Sequence, residues 1–325
     1  MRALLCHQFS GIDGLVVATD AAAPQPGPGE ITVRVRASGM NFLDTLIVSG
    51  KYQVKPSFPF SPGAEIAGEV LSVAPDVSRF KPGDRVCAFT YYGGFAETCS
   101  AKAAFAWHLP DAIDDVVAAA SLITYGTAWF GLADRAQIRP GETCLVLGAA
   151  GGVGLAAIQV AKKFGAHVIA GVGSTARMQI CRDHGADECI DYSTADFRYQ
   201  LKLLLSGRPL DVVVDVVGGS VSQTVLRQLA WRGRLLVIGF AAGDIPQLPA
   251  NFVLLRGIDV LGVVLDGLFQ YEPDRAAQMM ADLFSAIASG ALKPPVTEVL
   301  GLEAVPEALV RMARRQAHGK RVVRP

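Results

Sequence analysis

Net charge is the first thing this chain lacks: 30 Lys and Arg offset 30 Asp and Glu over 325 residues. No global field therefore draws it to nucleic acid or to an anionic membrane. Paired cysteines are missing as well. Cys6, Cys87, Cys99, Cys144, Cys181 and Cys189 lie apart with no C-x-x-C among them, which argues against a zinc cluster and for reduced thiols in the cytoplasm. The opening residues turn polar too soon for a signal peptide, at Cys6-His-Gln-Phe9. The histidines His7, His108, His167, His184 and His318 show no metal spacing and no Ser–His–Asp order, and read as structural. Repeats and low-complexity segments are absent too. What is present is 51% hydrophobic residues and 18% charge, a composition that fits large buried sheets, in a length that suggests two domains.

The first third reads as β-structure. Ile31-Thr-Val-Arg-Val-Arg-Ala37 alternates apolar and polar residues after the stiff Pro24–Glu30 loop, the mark of a half-buried strand. Further strands are expected near Ala64–Ala74, Arg85–Phe89 and Phe95–Cys99, with Gly and Pro corners that suggest a small, partly closed barrel. Val116–Leu132 is apolar with helical spacing. Six strands then alternate with helices: 144–148, 167–171, 188–190, 211–216, 234–239 and 259–265, with helices near 153–164, 176–184, 195–205 and 220–229. Gly165 and Gly185 stand where helix C-caps belong. That alternation predicts a doubly wound parallel sheet. Two more helices follow, opened by Pro273 and Pro306.

The stretch Thr143–Gly154 carries the strongest motif. An apolar strand runs into Gly148-Ala-Ala-Gly-Gly-Val-Gly154 and then a helix. Ala149-x-Gly151-x-x-Gly154 is a dinucleotide fingerprint with alanine in the first glycine place: Gly151 admits a pyrophosphate, and Gly154 lets helix and strand pack closely. The helix N-terminus presents free N–H groups to phosphate, so Ala150, Gly151, Gly152 and Val153 are expected to touch the cofactor. Four glycines in this uncharged run argue against a membrane span.

Cofactor choice turns on another absence. NAD binding usually places Asp or Glu at the end of the second strand to hold the ribose 2′-hydroxyl. Here the strand ends Val168-Ile-Ala-Gly171 and runs on to Val172-Gly-Ser-Thr-Ala-Arg177 without a carboxylate. Arg177 and Ser174 suit a 2′-phosphate, so NADP(H) is expected.

With these residues in view, the chain resembles the zinc-independent NADPH:quinone oxidoreductases of the medium-chain dehydrogenase/reductase superfamily. The resemblance rests on Ser38–Asp44, Pro62-Gly-Ala-Glu65-x-x-Gly68, Gly148–Gly154, Gly185-Ala-Asp187 and Gly319-Lys-Arg-Val-Val323, and it spans essentially the whole chain. It implies a GroES-like β-barrel catalytic domain (1–124 and 267–325), a Rossmann domain (125–266) and a cleft between them. Zinc enzymes of the superfamily keep a catalytic cysteine where this chain has Asn41 and a histidine where it has Ala64, and their four-cysteine lobe is absent, so no metal is expected. Without a Lewis acid, hydride delivery to a quinone or an α,β-unsaturated carbonyl is the better fit than alcohol oxidation. An enoyl- or acryloyl-thioester reductase, or a non-catalytic NADPH-binding protein with a structural or RNA-binding role, are the alternatives.

The resemblance also implies site residues. Asn41 is expected to donate to a substrate carbonyl or a water beside the nicotinamide, Asp44 to orient that loop, Tyr52 to donate a hydrogen bond, and Thr127 to lie near the nicotinamide, with Asn41 and Thr127 also touching the cofactor. Because ligands bind at the carboxyl ends of a parallel sheet, further cofactor contacts are expected at Tyr192, Val217, Gly218, Gly239, Phe240, Ala241, Val263 and Val264. In the basic tail, which otherwise reads as a solvated helix face, Arg315 and Lys320 are expected at the cofactor phosphates. The apolar strand 258–265 at a sheet edge suggests a homodimer.

Overall fold

A computed structural model describes residues 1–325. The chain divides into two compact units. One comprises Met1–Ile123, Gly267–Gly290 and Pro294–Pro325, and the other Thr124–Asp266 with Ala291–Lys293.

The first unit opens with an antiparallel hairpin, β1 (Ala3–Cys6) and β2 (Leu15–Ala18). The long strand β3 (Glu30–Gly39) follows, then β4 (Glu65–Val73), β5 (Arg85–Phe89), β6 (Thr98–Lys102) and β7 (Ala106–His108). The alternation in β3 is real: Ile31, Val33 and Val35 are buried while Arg34 and Arg36 face solvent. β6 begins three residues later than its sequence suggests. The Phe95 amide is bonded to Pro62 and its carbonyl to Leu4, so Phe95 closes a corner instead of joining a ladder. The apolar stretch 116–132 is also not one helix but Asp115–Ala119, Leu122–Trp129 and a π-helical turn at Phe130–Arg135.

The second unit is a six-stranded parallel sheet: β8 (Thr143–Leu147), β9 (His167–Val172), β10 (Glu188–Asp191), β11 (Val212–Asp215), β12 (Arg234–Val237) and β13 (Asp259–Gly262). Their order across the sheet is β10-β9-β8-β11-β12-β13, the doubly wound arrangement. Both faces of β8 and β11 are covered, which is why they read as unbroken apolar runs. Helices Gly152–Lys163 and Met178–Asp183 end at Gly165 and Gly185, whose φ of +77° and +102° would strain any other residue. One core of this unit joins Leu145, Leu147 and Val213 of the sheet to Phe197, Leu201 and Val225 of the helices above it.

The chain then returns to the first unit with β14 (Val296–Leu300) and β15 (Lys320–Val323), neither of which its sequence announces as a strand. β14, β15, β3, β4, β5 and β7 form one curved sheet, and β3 forks: its first half pairs β6 while Ser38 and Gly39 pair β15. Helices Pro273–Ala288 and Val305–Ala313 start at prolines and bury one stripe each. Ala308 and Leu309 of the second pack with Leu4, Met40, Phe95 and Val323, forming the apolar floor under residue 41.

Candidate functional site

The glycine loop follows β8. Gly148 turns the chain with a φ of +66°, and the Ala149 amide bonds to Gly171 at 3.0 Å, locking the loop to the end of β9. A Cβ on Gly154 would stand 2.4 Å from the Gly148 oxygen and 2.6 Å from the Ala149 Cα. No side chain fits there, so the helix 152–163 starts hard against the loop. Gly151 caps that helix with no side-chain bond to its first N–H groups. A Cβ there would meet only the Gly148 oxygen, at 3.3 Å. The loop therefore offers an open main-chain surface at a helix N-terminus, a cradle that fits a pyrophosphate. Ala150 is buried within it.

The end of β9 lies beside the end of β10. Ser174 caps a short 3-10 turn, Thr175–Arg177. The Tyr192 amide bonds to Val172, and a Cβ on Gly173 would touch the Tyr192 hydroxyl at 3.4 Å. Tyr192 is half-buried, edge-on to Phe197 with ring centroids 6.4 Å apart. One patch of this unit thus holds a half-exposed guanidinium-bearing turn and a phenol ring, with no acid at the end of β9.

The loops after β11 and β12 are stitched together. Asp215 is 2% exposed and accepts hydrogen bonds from the Val217 and Gly218 amides at 2.9 Å and from the Ser222 hydroxyl at 2.5 Å. Ala241 and Ala242 donate back to the Val216 and Val217 carbonyls. Gly218, with a φ of +76°, has no room for a Cβ beside Phe240. Val263 is buried and bonded to Val237, whereas Val264 points to solvent, so the two do not share an environment. Thr127 is buried on helix Leu122–Trp129.

In the first unit the helix Phe42–Val48 is preceded by Asn41, and Asp44 reaches back to accept from the Asn41 amide at 2.6 Å. The other Asp44 oxygen accepts from the Gly63 amide at 3.1 Å. Asp44 is fully buried, and burial pushes its carboxyl up to about 7, against the pull of those two N–H groups and of Lys320. It clamps residue 41 to residue 63 and has no route to a ligand. Lys320 lies alongside at 3% exposure. Its ammonium pairs with Glu65, which is fully buried, and donates to the Asn41 Oδ1 at 2.7 Å. Asn41 Nδ2 in turn donates to Glu65 Oε1 at 2.8 Å and to the Gly39 carbonyl at 3.2 Å, while Glu65 Oε2 accepts from the Ile123 amide at 2.8 Å.

Two expectations are corrected by this network. Lys320 does not sit ready for phosphates, because a buried carboxylate and the Asn41 oxygen hold its charge inside the unit. Nor is the basic tail one solvated face: Arg311 and Arg321 both bond Glu298, and Arg321 is 6% exposed. Asn41 itself is 8% exposed with both amide hydrogens engaged. Tyr52 is half-buried against Ile47, Val48 and Phe60, and Arg315 is exposed just past helix Val305–Ala313 with a φ of +57°. Sequence reasoning missed Glu65 and Asp215 as organisers. For Asp215 the signal was available, a lone carboxylate closing the apolar strand Val212–Asp215, a position tolerated only with dedicated partners. Glu65 opens a strand that also carries Glu69, and nothing local singles it out.

Comparison with known proteins agrees with this construction. Residues 27–111 match the model of the alcohol dehydrogenase GroES-like domain, and residues 152–285 that of the zinc-binding dehydrogenase domain. Quinone oxidoreductase-like protein 2 of Rattus norvegicus is 38% identical over 301 residues, covering 92% of this chain and 86% of that protein. A quinone oxidoreductase of Pseudomonas aeruginosa is 35% identical over 321 residues, 98% of each. Among solved structures, Escherichia coli quinone oxidoreductase complexed with NADPH superposes over the full length of both chains with a TM-score of 0.91 at 31% identity.

Proposed function

The chain belongs to the quinone oxidoreductase family of the medium-chain dehydrogenase/reductase superfamily, and from that we propose an NADPH-dependent oxidoreductase that reduces a quinone or an α,β-unsaturated carbonyl compound without zinc. The observation that carries this reading is the commitment of Asn41 and Glu65 to Lys320. Where zinc enzymes of the superfamily place thiolate and imidazole, this chain has an amide and Ala64, and its neighbouring carboxylate is already neutralised by an ammonium. No three His, Cys, Asp or Glu side chains come together in a group that could hold a metal ion. An amide and a methyl group in those two places supply no thiolate or imidazole to hold a Lewis acid, which supports an electron-poor acceptor that needs little activation as the substrate.

NADPH fits the second unit: Gly151, Gly152 and Val153 receive the pyrophosphate on the open cradle, and Ser174, Arg177 and Tyr192 take the 2′-phosphate end. Ala150, Val217, Gly218, Gly239, Phe240 and Ala241 line the strand ends, Thr127, Val263 and Val264 complete the set, and Arg315 is proposed as a further phosphate contact. When bound, the nicotinamide supplies a hydride from its C4 carbon. The protein's own contribution is positional. The longer Asn41 bond, to Gly39 at 3.2 Å, is the one that exchanges for an acceptor oxygen, while the shorter ones to Glu65 and Lys320 keep the amide in place. Tyr52 supplies a second donor. Asp44 is too enclosed to deliver a proton, which comes from solvent water. β13 lies at the edge of the sheet with Val260 40% exposed, and the molecule is a homodimer joined along it.

The test is turnover. Purified protein with NADPH or NADH is mixed with a panel of quinones, enals, enones and an enoyl thioester, and loss of the reduced-cofactor absorbance is followed. Oxidation of NADPH by quinones or enones, faster than of NADH, is the expected result; no oxidation anywhere on the panel would sink the enzymatic reading.

A further inference from the structure

Three cations of the second unit are tied to acids within 3 Å: Lys162 to Asp187 at 2.8 Å, Arg208 to Glu188 and Arg234 to Glu142, both at 2.6 Å. One groove instead gathers four cations that are not tied to acids. It has a volume of about 460 Å³ and is lined by Arg198, Tyr199 and Lys202 of helix Phe197–Leu205, by Arg227 just after helix Gly219–Leu226, and by Arg256 at the end of helix Ala250–Arg256. Its single carboxylate, Asp196, is occupied by Gln200 Nε2 at 2.8 Å. None of the four cations has an acidic partner within 4.0 Å. Arg198 and Lys202 stand four residues apart on one helix, a spacing at which like charges repel.

Two of the guanidinium groups are held in place by contacts that leave donors unspent. Arg256 Nη1 donates to the Leu229 carbonyl at 2.7 Å, and the Arg227 guanidinium carbon sits 4.3 Å from the Phe252 ring centroid. A fixed fork loses little freedom when it takes an oxyanion. Tyr199, 63% exposed, adds an open ring face to the same groove. These side chains come from helices other than the one that follows the glycine loop, and none of them is a residue assigned to NADPH.

We infer that this groove is a second anion site that binds a nucleoside polyphosphate, with Arg198, Lys202, Arg227 and Arg256 on the phosphates and Tyr199 against the base. Four cations spread over three helices exceed what one phosphate needs. A single aromatic ring suits one nucleotide and not a strand of RNA, which calls for successive stacking platforms.

The experiment is calorimetric titration of ATP and of inorganic tripolyphosphate into the full chain, at low salt and with NADP+ saturating the cofactor loop. ATP is expected to bind at one per chain. Arg198→Glu with Lys202→Glu should weaken both ligands about tenfold or more, as loss of charge-assisted bonds requires. Arg227→Gln should weaken both by a smaller factor, and Tyr199→Ala should weaken ATP while sparing tripolyphosphate. NADPH affinity should be unchanged in all of them, which also reports intact folding. The inference is overturned if ATP gives no heat at millimolar concentration, if saturating NADP+ abolishes its binding, or if Arg198→Glu with Lys202→Glu binds like the parent. A single-stranded oligonucleotide held far more tightly than ATP would overturn the small-ligand assignment.

Discussion

Around the glycine loop of the second unit, positions are set by main chain: Gly154 fits because anything larger meets the Gly148 oxygen, and the Ala149 amide is tied to Gly171. Around Asn41 of the first unit, positions are set by side-chain charge: an ammonium, two carboxylates and an amide, all buried. The difference matches what the proposed function asks of each. A cradle for an anionic cofactor needs bare N–H groups and close approach, and added charge of its own would compete with the ligand. A surface for a neutral acceptor needs one amide held still in an apolar setting, and fixed charges hold it still by pulling from several sides. The first arrangement tolerates changes in surface charge and is intolerant of added volume; the second behaves the other way round.

The largest effect should come from unbalancing the charges. Lys320→Met leaves Glu65 buried without its cation and should cost about 3–5 kcal/mol in denaturant unfolding, with Lys320→Met plus Glu65→Gln recovering most of it. A loss under about 1 kcal/mol would mean that the pair does not organise the unit. Next is Arg177, the one place where the cofactor reading of the second unit depends on a side-chain charge. Arg177→Ala should weaken NADPH about 10- to 100-fold, the worth of a charge-assisted bond of roughly 1.5–3 kcal/mol, and leave NADH nearly unaffected. Equal losses for both cofactors would remove the 2′-phosphate assignment. Smallest for stability is Val260→Lys on β13, an exposed edge position where a substitution shifts folding by about 0.5 kcal/mol or less. Its readout is sedimentation, where a dimer should give way to a monomer; an unchanged sedimentation coefficient would exclude β13 as the joint.

The second unit was the more legible of the two in sequence. Its strands are apolar runs at regular spacing, its caps are glycines, and Gly148–Gly154 is a local motif, so periodicity and turn chemistry reach most of it. β13 and β11 are shorter than expected, ending at Gly262 and at Asp215, whose carboxylate accepts from the Val217 and Gly218 amides beyond the strand. The first unit resisted because its organisation is non-local. Nothing near Lys320 in sequence shows that its partner is Glu65, so a buried lysine looks in sequence like a phosphate ligand. β15 escaped notice since four residues, two of them charged, do not look like a strand until Ser38 and Gly39 are found to pair with it.

The Lys320–Glu65 contact joins residues 255 positions apart. At about 5–20 residues per second, translation places roughly 10–50 s between the emergence of the carboxylate and that of its counter-ion. For that interval Glu65 lacks the ammonium it is buried against, so the network around residue 41 closes late, after the glycine loop and its helix have been made. On the proposed function, a nascent chain therefore has its glycine cradle in place before the amide surface meant for an acceptor is finished.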